Sequence, residues 1–140
     1  MCIWIPLRKD IVMPNVLLIH NDTNTTLTVQ HVLSAQGIPC VCLDLEEFHP
    51  EFLSSEVFDL IIFELFGENR SCIVILQQLE RWSATSGMEH PPVIVVTEEI
   101  SGNIEQDIRM TKVNFYFVKP VAEAELASAI EQSLLLHKSI

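Results

Sequence analysis

Residues 58–64 are Phe58-Asp-Leu-Ile-Ile-Phe-Glu64, a short segment that is almost continuously apolar and ends on a carboxylate. Such a segment is typical of a parallel strand that is covered on both faces. Four further short segments are also mainly apolar: Val16–Ile19, Ile38–Leu43, Val93–Val96 and Phe115–Val118. The sequence therefore predicts five strands.

Longer segments with helical spacing of their apolar residues separate these strands. The predicted helices are Thr23–Gln36, Glu46–Ser55, Cys72–Trp82, Ile104–Thr111 and Val121–His137, with Ser83–His90 as a polar connection. Gly37 is predicted to end the first helix. Strands that alternate with helices predict an α/β fold, in which a doubly wound parallel sheet carries helices on both faces.

Composition excludes several classes of protein. The 140 residues fit one domain, and 49% of them are apolar, which is too many for a disordered chain. The net charge is −11, and no Lys or Arg lies between Asp10 and Asn69. Nucleic acids and anionic membranes are therefore excluded as partners, because binding them requires clustered basic residues. No apolar segment reaches membrane-spanning length.

The first fourteen residues lie outside the alternating pattern. We treat residues 1–14 as a leader of undefined structure and residues 15–140 as the domain. Met13 is compatible with a translation start, whereas the apolar residues of the leader are equally compatible with an extra strand. No signal peptide is predicted, because Arg8 and Lys9 follow the apolar residues rather than preceding them.

Four cysteines are present, at Cys2, Cys40, Cys42 and Cys72. They form no Cys-x-x-Cys motif and no zinc-binding spacing with histidine. Cys40 and Cys42 are predicted to share one face of the second strand, as small apolar core residues. The absence of a disulfide pattern favours a reducing cytoplasm.

Polar residues follow the predicted strands. They are His20, Asn21 and Asp22 after the first strand, Glu64 after the third, Thr97 and Glu98 after the fourth, and Lys119 and Pro120 after the fifth. In parallel α/β sheets, ligands bind at the carboxyl ends of the strands, close to the point where the strand order reverses. These residues are therefore the candidate functional site.

The chain resembles the receiver domain of two-component response regulators from about Asn15 to Lys138. Val16-Leu-Leu-Ile-His-Asn-Asp22 is similar to the strand that carries the family's acidic pair, and Phe58–Glu64 to the strand that ends in its phospho-accepting aspartate. Val93–Thr97 resembles the strand with the switch hydroxyl. Tyr116-Phe-Val-Lys-Pro120 is the most specific match, with a switch aromatic, a pocket lysine and a candidate cis-proline. The resemblance implies a flavodoxin-like (βα)5 fold with strand order 2-1-3-4-5.

The chemistry that the resemblance implies is altered at several positions. His20 and Asn21 stand where the family has its acidic pair, with Asp22 one residue further on, and Glu64 stands at the phospho-acceptor position. Mg²⁺, which the family uses, prefers carboxylate oxygens. Glu98, bulky and anionic, follows Thr97, where the family has a small residue. We therefore predict an inactive acceptor and no resident metal or other cofactor.

Lys119 is predicted to pair with Glu64, and two interpretations of that pair remain open. In one, the long Glu64 side chain mimics the phosphorylated state and holds Thr97 and Tyr116 in one arrangement. In the other, Glu64 and Lys119 form only a retained ion pair, and Tyr116 is a half-exposed aromatic residue on an edge strand.

The resemblance also implies an output surface, formed by the fourth helix, fifth strand and fifth helix within Gly102–Lys138. Its interface candidates are Arg109, Lys112, Glu105 and Glu123. Their mixed charges suit a homodimer or another protein partner. The sequence thus predicts a signalling domain that acts through protein contacts and is not an enzyme. The alternatives are a phosphorylatable receiver with an altered pocket, and a flavodoxin-like ligand or metal binder.

Overall fold

The computed structural model describes residues 14–21, 27–65, 71–98, 106, 108, 111 and 113–138. Its sheet has five strands: β1 (Val16–His20), β2 (Cys40–Asp44), β3 (Leu60–Glu64), β4 (Val93–Thr97) and β5 (Phe115–Val118). All neighbouring strands pair in parallel, in the order β2-β1-β3-β4-β5. The predicted sheet and its strand order are confirmed.

Helices cover both faces of this sheet. They are α1 (Leu27–Ala35), α2 (Phe52–Ser55), α3 (Ser71–Ser86) and α4 (Glu123–Lys138). One core cluster joins alternate residues of β1 and β3 to α2 and α3, and a second joins the intervening residues to α1 and α4. Gln106 and Ile108 are helical, and the rest of the helix predicted at Ile104–Thr111 lies mostly outside the described residues.

The helix predicted over Glu46–Ser55 is wrong. A 3-10 helix covers Leu45–Glu47, and α2 begins only at Phe52. Pro50 lies between the two segments. Its ring disfavours helical backbone at the preceding residue and it has no N–H to donate, so a continuous helix is interrupted there.

The polar connection predicted at Ser83–His90 is wrong in its first half, because α3 continues to Ser86. The Thr85 hydroxyl donates to the Arg81 carbonyl oxygen at 3.0 Å, one turn back along the helix. The helix ends only where Gly87 adopts φ +76°, a conformation that glycine accepts at little cost. Polar side chains that face solvent did not interrupt this helix.

The first helix ends as predicted at Gly37, which has φ +70°. The N–H of Gly37 donates to the Ser34 carbonyl at 3.0 Å, and that of Ile38 to the Leu33 carbonyl at 2.9 Å. These two hydrogen bonds are those of the Schellman motif. They direct the chain from α1 into β2.

Cys40 and Cys42 share one face of β2 as predicted, but they are not both core residues. Cys40 is half-buried against the α1 side of the core, whereas Cys42 is exposed. The reason is that β2 is an edge strand, so the helix above it covers only part of its face.

Several predictions concern residues outside the described ranges. They are the leader apart from Pro14, Asp22 at the acidic pair, and the interface candidates Glu105, Arg109 and Lys112. Those predictions stay as they were made from the sequence.

Candidate functional site

The carboxyl ends of three neighbouring strands bring charged or polar side chains to one edge of the sheet. His20 at the end of β1 is in register with Glu64 at the end of β3 and with Asp44 at the end of β2. In a parallel sheet, side chains at the same register position project from the same face. The predicted strand-end residues His20 and Glu64 are therefore direct neighbours in the sheet.

Glu64 is the central charge of this edge. Its side chain has no exposed surface, and its Oε2 atom lies 3.2 Å from the Nζ atom of Lys119. Within the described residues, Oε1 has no hydrogen-bond partner. Burial raises the pKa of the Glu64 carboxyl above its ordinary value, and the Lys119 ammonium partly offsets this by favouring the charged form.

The position of Lys119 follows from the pairing of the last two strands. Its backbone N–H donates to the carbonyl oxygen of Thr97 at 2.7 Å, which fixes the residue just past the end of β5. The peptide bond from Lys119 to Pro120 is cis. The lysine side chain is 21% exposed, so its ammonium lies at the boundary between the buried carboxylate and solvent.

His20 and Asn21 stand on the other side of Glu64. His20 is buried, and its Nδ1 atom has no hydrogen-bond partner among the described residues. Asn21 is half-buried at the start of the following loop. An imidazole and an amide thus occupy the place where the predicted site would need carboxylates.

The two predicted switch residues lie on the opposite side of the sheet from Glu64. Thr97 at the end of β4 is buried, and Tyr116 of β5 packs half-buried against the cluster that includes α3. Both belong to the set of alternate residues that faces α3 rather than α4. These positions are compatible with either interpretation of the Glu64–Lys119 pair.

Glu98, the residue after Thr97, lies close to Lys119. Glu98 is half-buried and lines an open cavity together with Thr28, Lys119, Pro120 and Val121. The Glu98 carboxylate thus borders the cavity beside Lys119. It repels an anion such as a phosphoryl group, whereas the Lys119 ammonium in the same lining attracts it.

The described donor atoms of this edge, which do not include Asp22, do not match a magnesium site. The described residues contain no group of three or more His, Cys, Asp or Glu side chains that are placed to hold a metal ion. The carboxylate of Glu64 faces the ammonium of Lys119, and its neighbour His20 offers nitrogen where Mg²⁺ prefers oxygen. These side chains therefore give no support for phosphoryl chemistry that depends on Mg²⁺.

Asp44 was not among the predicted site residues, although it lies in register with His20. Its Oδ1 atom accepts from the backbone N–H of Glu46 at 2.9 Å, and the Glu47 carboxylate accepts from the N–H of Asp44 at 3.1 Å. This capping box gives Asp44 a structural role. The strand order 2-1-3-4-5 already placed the end of the second strand beside that of the first.

The interface candidate Glu123 begins α4 and is exposed. Its Oε1 atom lies 3.8 Å from the Nε2 atom of His31 on α1. The start of α4 is thus close to α1. The role of Glu123 at an interface stays a prediction.

Comparison with solved structures shows that this architecture is similar to that of CheY-like receiver domains. The chain has their fold, in which a five-stranded parallel sheet of order 2-1-3-4-5 is covered by helices on both faces. No protein-family model matches the chain.

Among solved structures, the chemotaxis protein CheY4 of Vibrio cholerae is 19% identical, with a TM-score of 0.68 over 87% of this chain and 99% of that chain. A CheY-like receiver domain protein of Methanospirillum hungatei JF-1 is 18% identical, with a TM-score of 0.71 over 91% and 98%. Among curated proteins, the sensor protein GacS of Pseudomonas syringae pv. syringae is 20% identical over 84% of this chain. The chain spans only 13% of the length of that sensor protein.

Among the described helices, none combines the length and the apolar character that crossing a bilayer requires.

Proposed function

We propose that this chain is a signal-transduction domain of the receiver type that acts through protein–protein contacts without being phosphorylated, and that it is not an enzyme. The observation that carries the proposal is the His20 imidazole in register with the buried Glu64 carboxylate, which is paired with the Lys119 ammonium at 3.2 Å. This ion pair stands where a receiver would hold its acceptor and its pocket lysine.

The charges around this pair support the proposal. An acceptor carboxylate must be free to attack phosphorus, with a cation that neutralises the charge of the transition state. The Lys119 ammonium meets part of this requirement, because a cation attracts a phosphoryl group. The adjacent strand end, however, supplies the imidazole of His20 where a metal ion would need a carboxylate, and Glu98 adds a negative charge at the cavity beside Lys119. These two features disfavour an incoming phosphoryl group.

The proposed partner is a second copy of the chain or another protein, which binds through the surface that includes β5. This strand is the outer strand of the sheet, and its last residue, Val118, is a 39% exposed apolar side chain. An open strand edge with apolar side chains is a natural site for association. The proposed compartment is the cytoplasm, consistent with the free thiols of Cys40, Cys42 and Cys72.

The experiment is incubation of the whole chain with acetyl phosphate and Mg²⁺, followed by intact mass spectrometry. We expect no mass gain for the wild-type chain. A triple variant, His20→Asp, Asn21→Asp and Glu64→Asp, restores the carboxylates of a receiver and is expected to gain one phosphoryl group.

A gain of one phosphoryl group by the wild-type chain that disappears in Glu64→Gln would overturn the proposal and favour a phosphorylatable receiver with an altered pocket. Thermal stabilisation of the wild-type chain by Mg²⁺ alone would favour a metal-binding flavodoxin-like protein instead.

A further inference from the structure

Two thiols lie close together on the edge strand furthest from β5. The Sγ atoms of Cys40 and Cys42 are 3.9 Å apart on the face of β2 that points toward α1. Cys42 is exposed, and Cys40 is half-buried beneath it. The Nε2 atom of Gln30 on α1 donates to the sulfur of Cys42 at 3.1 Å. The Cys42 sulfur is therefore accessible on the side of β2 that faces α1, with the Cys40 sulfur next to it.

The separation of the sulfurs is too long for a disulfide and suitable for a bridging atom. A disulfide requires a distance of about 2 Å between the sulfurs, and residues two apart on a strand lie at the upper end of the Cα separations that allow one. A metal ion at about 2.3 Å from each sulfur spans up to about 4.6 Å between them. Linear two-coordinate binding requires the full span, and the observed 3.9 Å is about 0.7 Å shorter, a difference that rotation of the exposed Cys42 side chain closes.

The number and softness of the donors select the kind of ion. Two sulfurs without further ligands suit a soft cation that accepts two-coordinate binding, and thiolates favour Cu(I). Structural zinc sites use four ligands. In the part of the chain that the structure describes, no third His, Cys, Asp or Glu side chain completes such a group. Zinc is therefore disfavoured at this pair.

We propose that Cys40 and Cys42 form a two-coordinate binding site for a soft monovalent cation of the Cu(I) class. Each thiol releases its proton to solvent as its sulfur binds the ion, and the oxidation state of the ion does not change. The site is separate from the Glu64 edge and does not depend on the function proposed above.

Accessibility distinguishes this pair from the third described cysteine. Cys72 differs, because it is fully buried in the core and its thiol lies among apolar side chains.

The test is a competition for Cu(I) held by excess bicinchoninate under nitrogen, with the whole chain in its reduced form. The wild-type chain is expected to remove one Cu(I) per chain, seen as a loss of absorbance of the copper–bicinchoninate complex. Cys42→Ser is expected to lose this uptake, and because residue 42 is exposed, the far-ultraviolet circular dichroism should not change. Cys2→Ser leaves the same number of thiols as Cys42→Ser and is expected to behave as wild type.

Equal uptake by Cys42→Ser and by the wild-type chain would overturn the proposal, as would no uptake by either. X-ray absorption at the copper edge provides a second measurement. Two sulfur neighbours per copper are expected, whereas three or more, or one copper shared by two chains, would contradict a two-coordinate site within one chain.

Discussion

Glu64 couples the stability of the fold to pH. Burial raises its pKa above the ordinary value, so the folded state retains this proton to a higher pH than the unfolded state. The corresponding stabilisation is complete below the ordinary pKa of glutamate and is lost as the pH rises through the raised value. We predict that the free energy of unfolding falls over this interval, and that Glu64→Gln flattens the fall. Urea denaturation at a series of pH values measures both, and an equal slope in the variant would refute the prediction.

Lys119 compensates the buried charge of Glu64. Removal of one partner of a buried ion pair leaves an uncompensated charge and typically costs about 3–5 kcal/mol. We predict that Lys119→Met lowers the free energy of unfolding at neutral pH by up to this amount. Because Glu64 is the source of the cost, the double variant Lys119→Met with Glu64→Gln should recover most of the loss.

The measurement is urea denaturation of the two single variants and the double variant, which together form a double-mutant cycle. Strict additivity of the two substitutions would show that Glu64 and Lys119 do not interact. That result would contradict the Glu64–Lys119 ion pair at the candidate site.

The sequence predicts which residues lie at the edge of the sheet around Glu64 better than it predicts the exposure and the local contacts of the residues near that edge. The positions of His20, Glu64 and Lys119 follow from where apolar segments end, because the ends of parallel strands meet at one edge. The exposure of Cys42 does not follow from alternation, because it depends on how far α1 extends over an edge strand. The capping role of Asp44 depends on a 3-10 helix, for which the sequence has only a weak local signal.

The turn from α1 to β2 depends on one glycine. Gly37 has φ +70°, and a Cβ atom built there meets nothing within 4 Å, so the cost of a side chain is backbone strain alone. We predict that Gly37→Ala lowers the free energy of unfolding by about 1 kcal/mol, the left-handed strain less the gain from a stiffer unfolded chain. Gly37→Asn should cost less, because asparagine tolerates this conformation better. Thermal denaturation of both variants tests whether Gly37→Ala loses more stability than Gly37→Asn. A stabilised Gly37→Ala would contradict the prediction.

Strand positions were easier to predict than helix ends. Each predicted strand overlaps the observed one because a buried strand needs an apolar side chain at nearly every position, as in β3 and β4. Helix ends depend instead on single residues such as Pro50 and Gly87, whose effect is decided by local backbone geometry. The helix predicted at Glu46–Ser55 failed because Pro50 lies inside it, a helix-breaking signal that the sequence contains and that the prediction of one continuous helix did not use.

The molecule as a whole carries two separable features on one sheet. The edge strand β5 lies at one side with the proposed protein contact, and β2 lies at the other with its two thiols. The order of the strands could be predicted from the resemblance of four segments in sequence order. The partner could not, because a surface contact leaves no periodic apolar pattern in the sequence of the kind that predicts a strand or a helix.

We expect the domain to associate through protein contacts whether or not a phosphodonor is present. Sedimentation equilibrium of the whole chain over a range of concentrations, with and without acetyl phosphate and Mg²⁺, tests this most directly. We predict a reversible dimer with the same dissociation constant in both conditions. A dimer that forms only with the phosphodonor would contradict association that is independent of phosphorylation, and a monomer at all concentrations would contradict self-association.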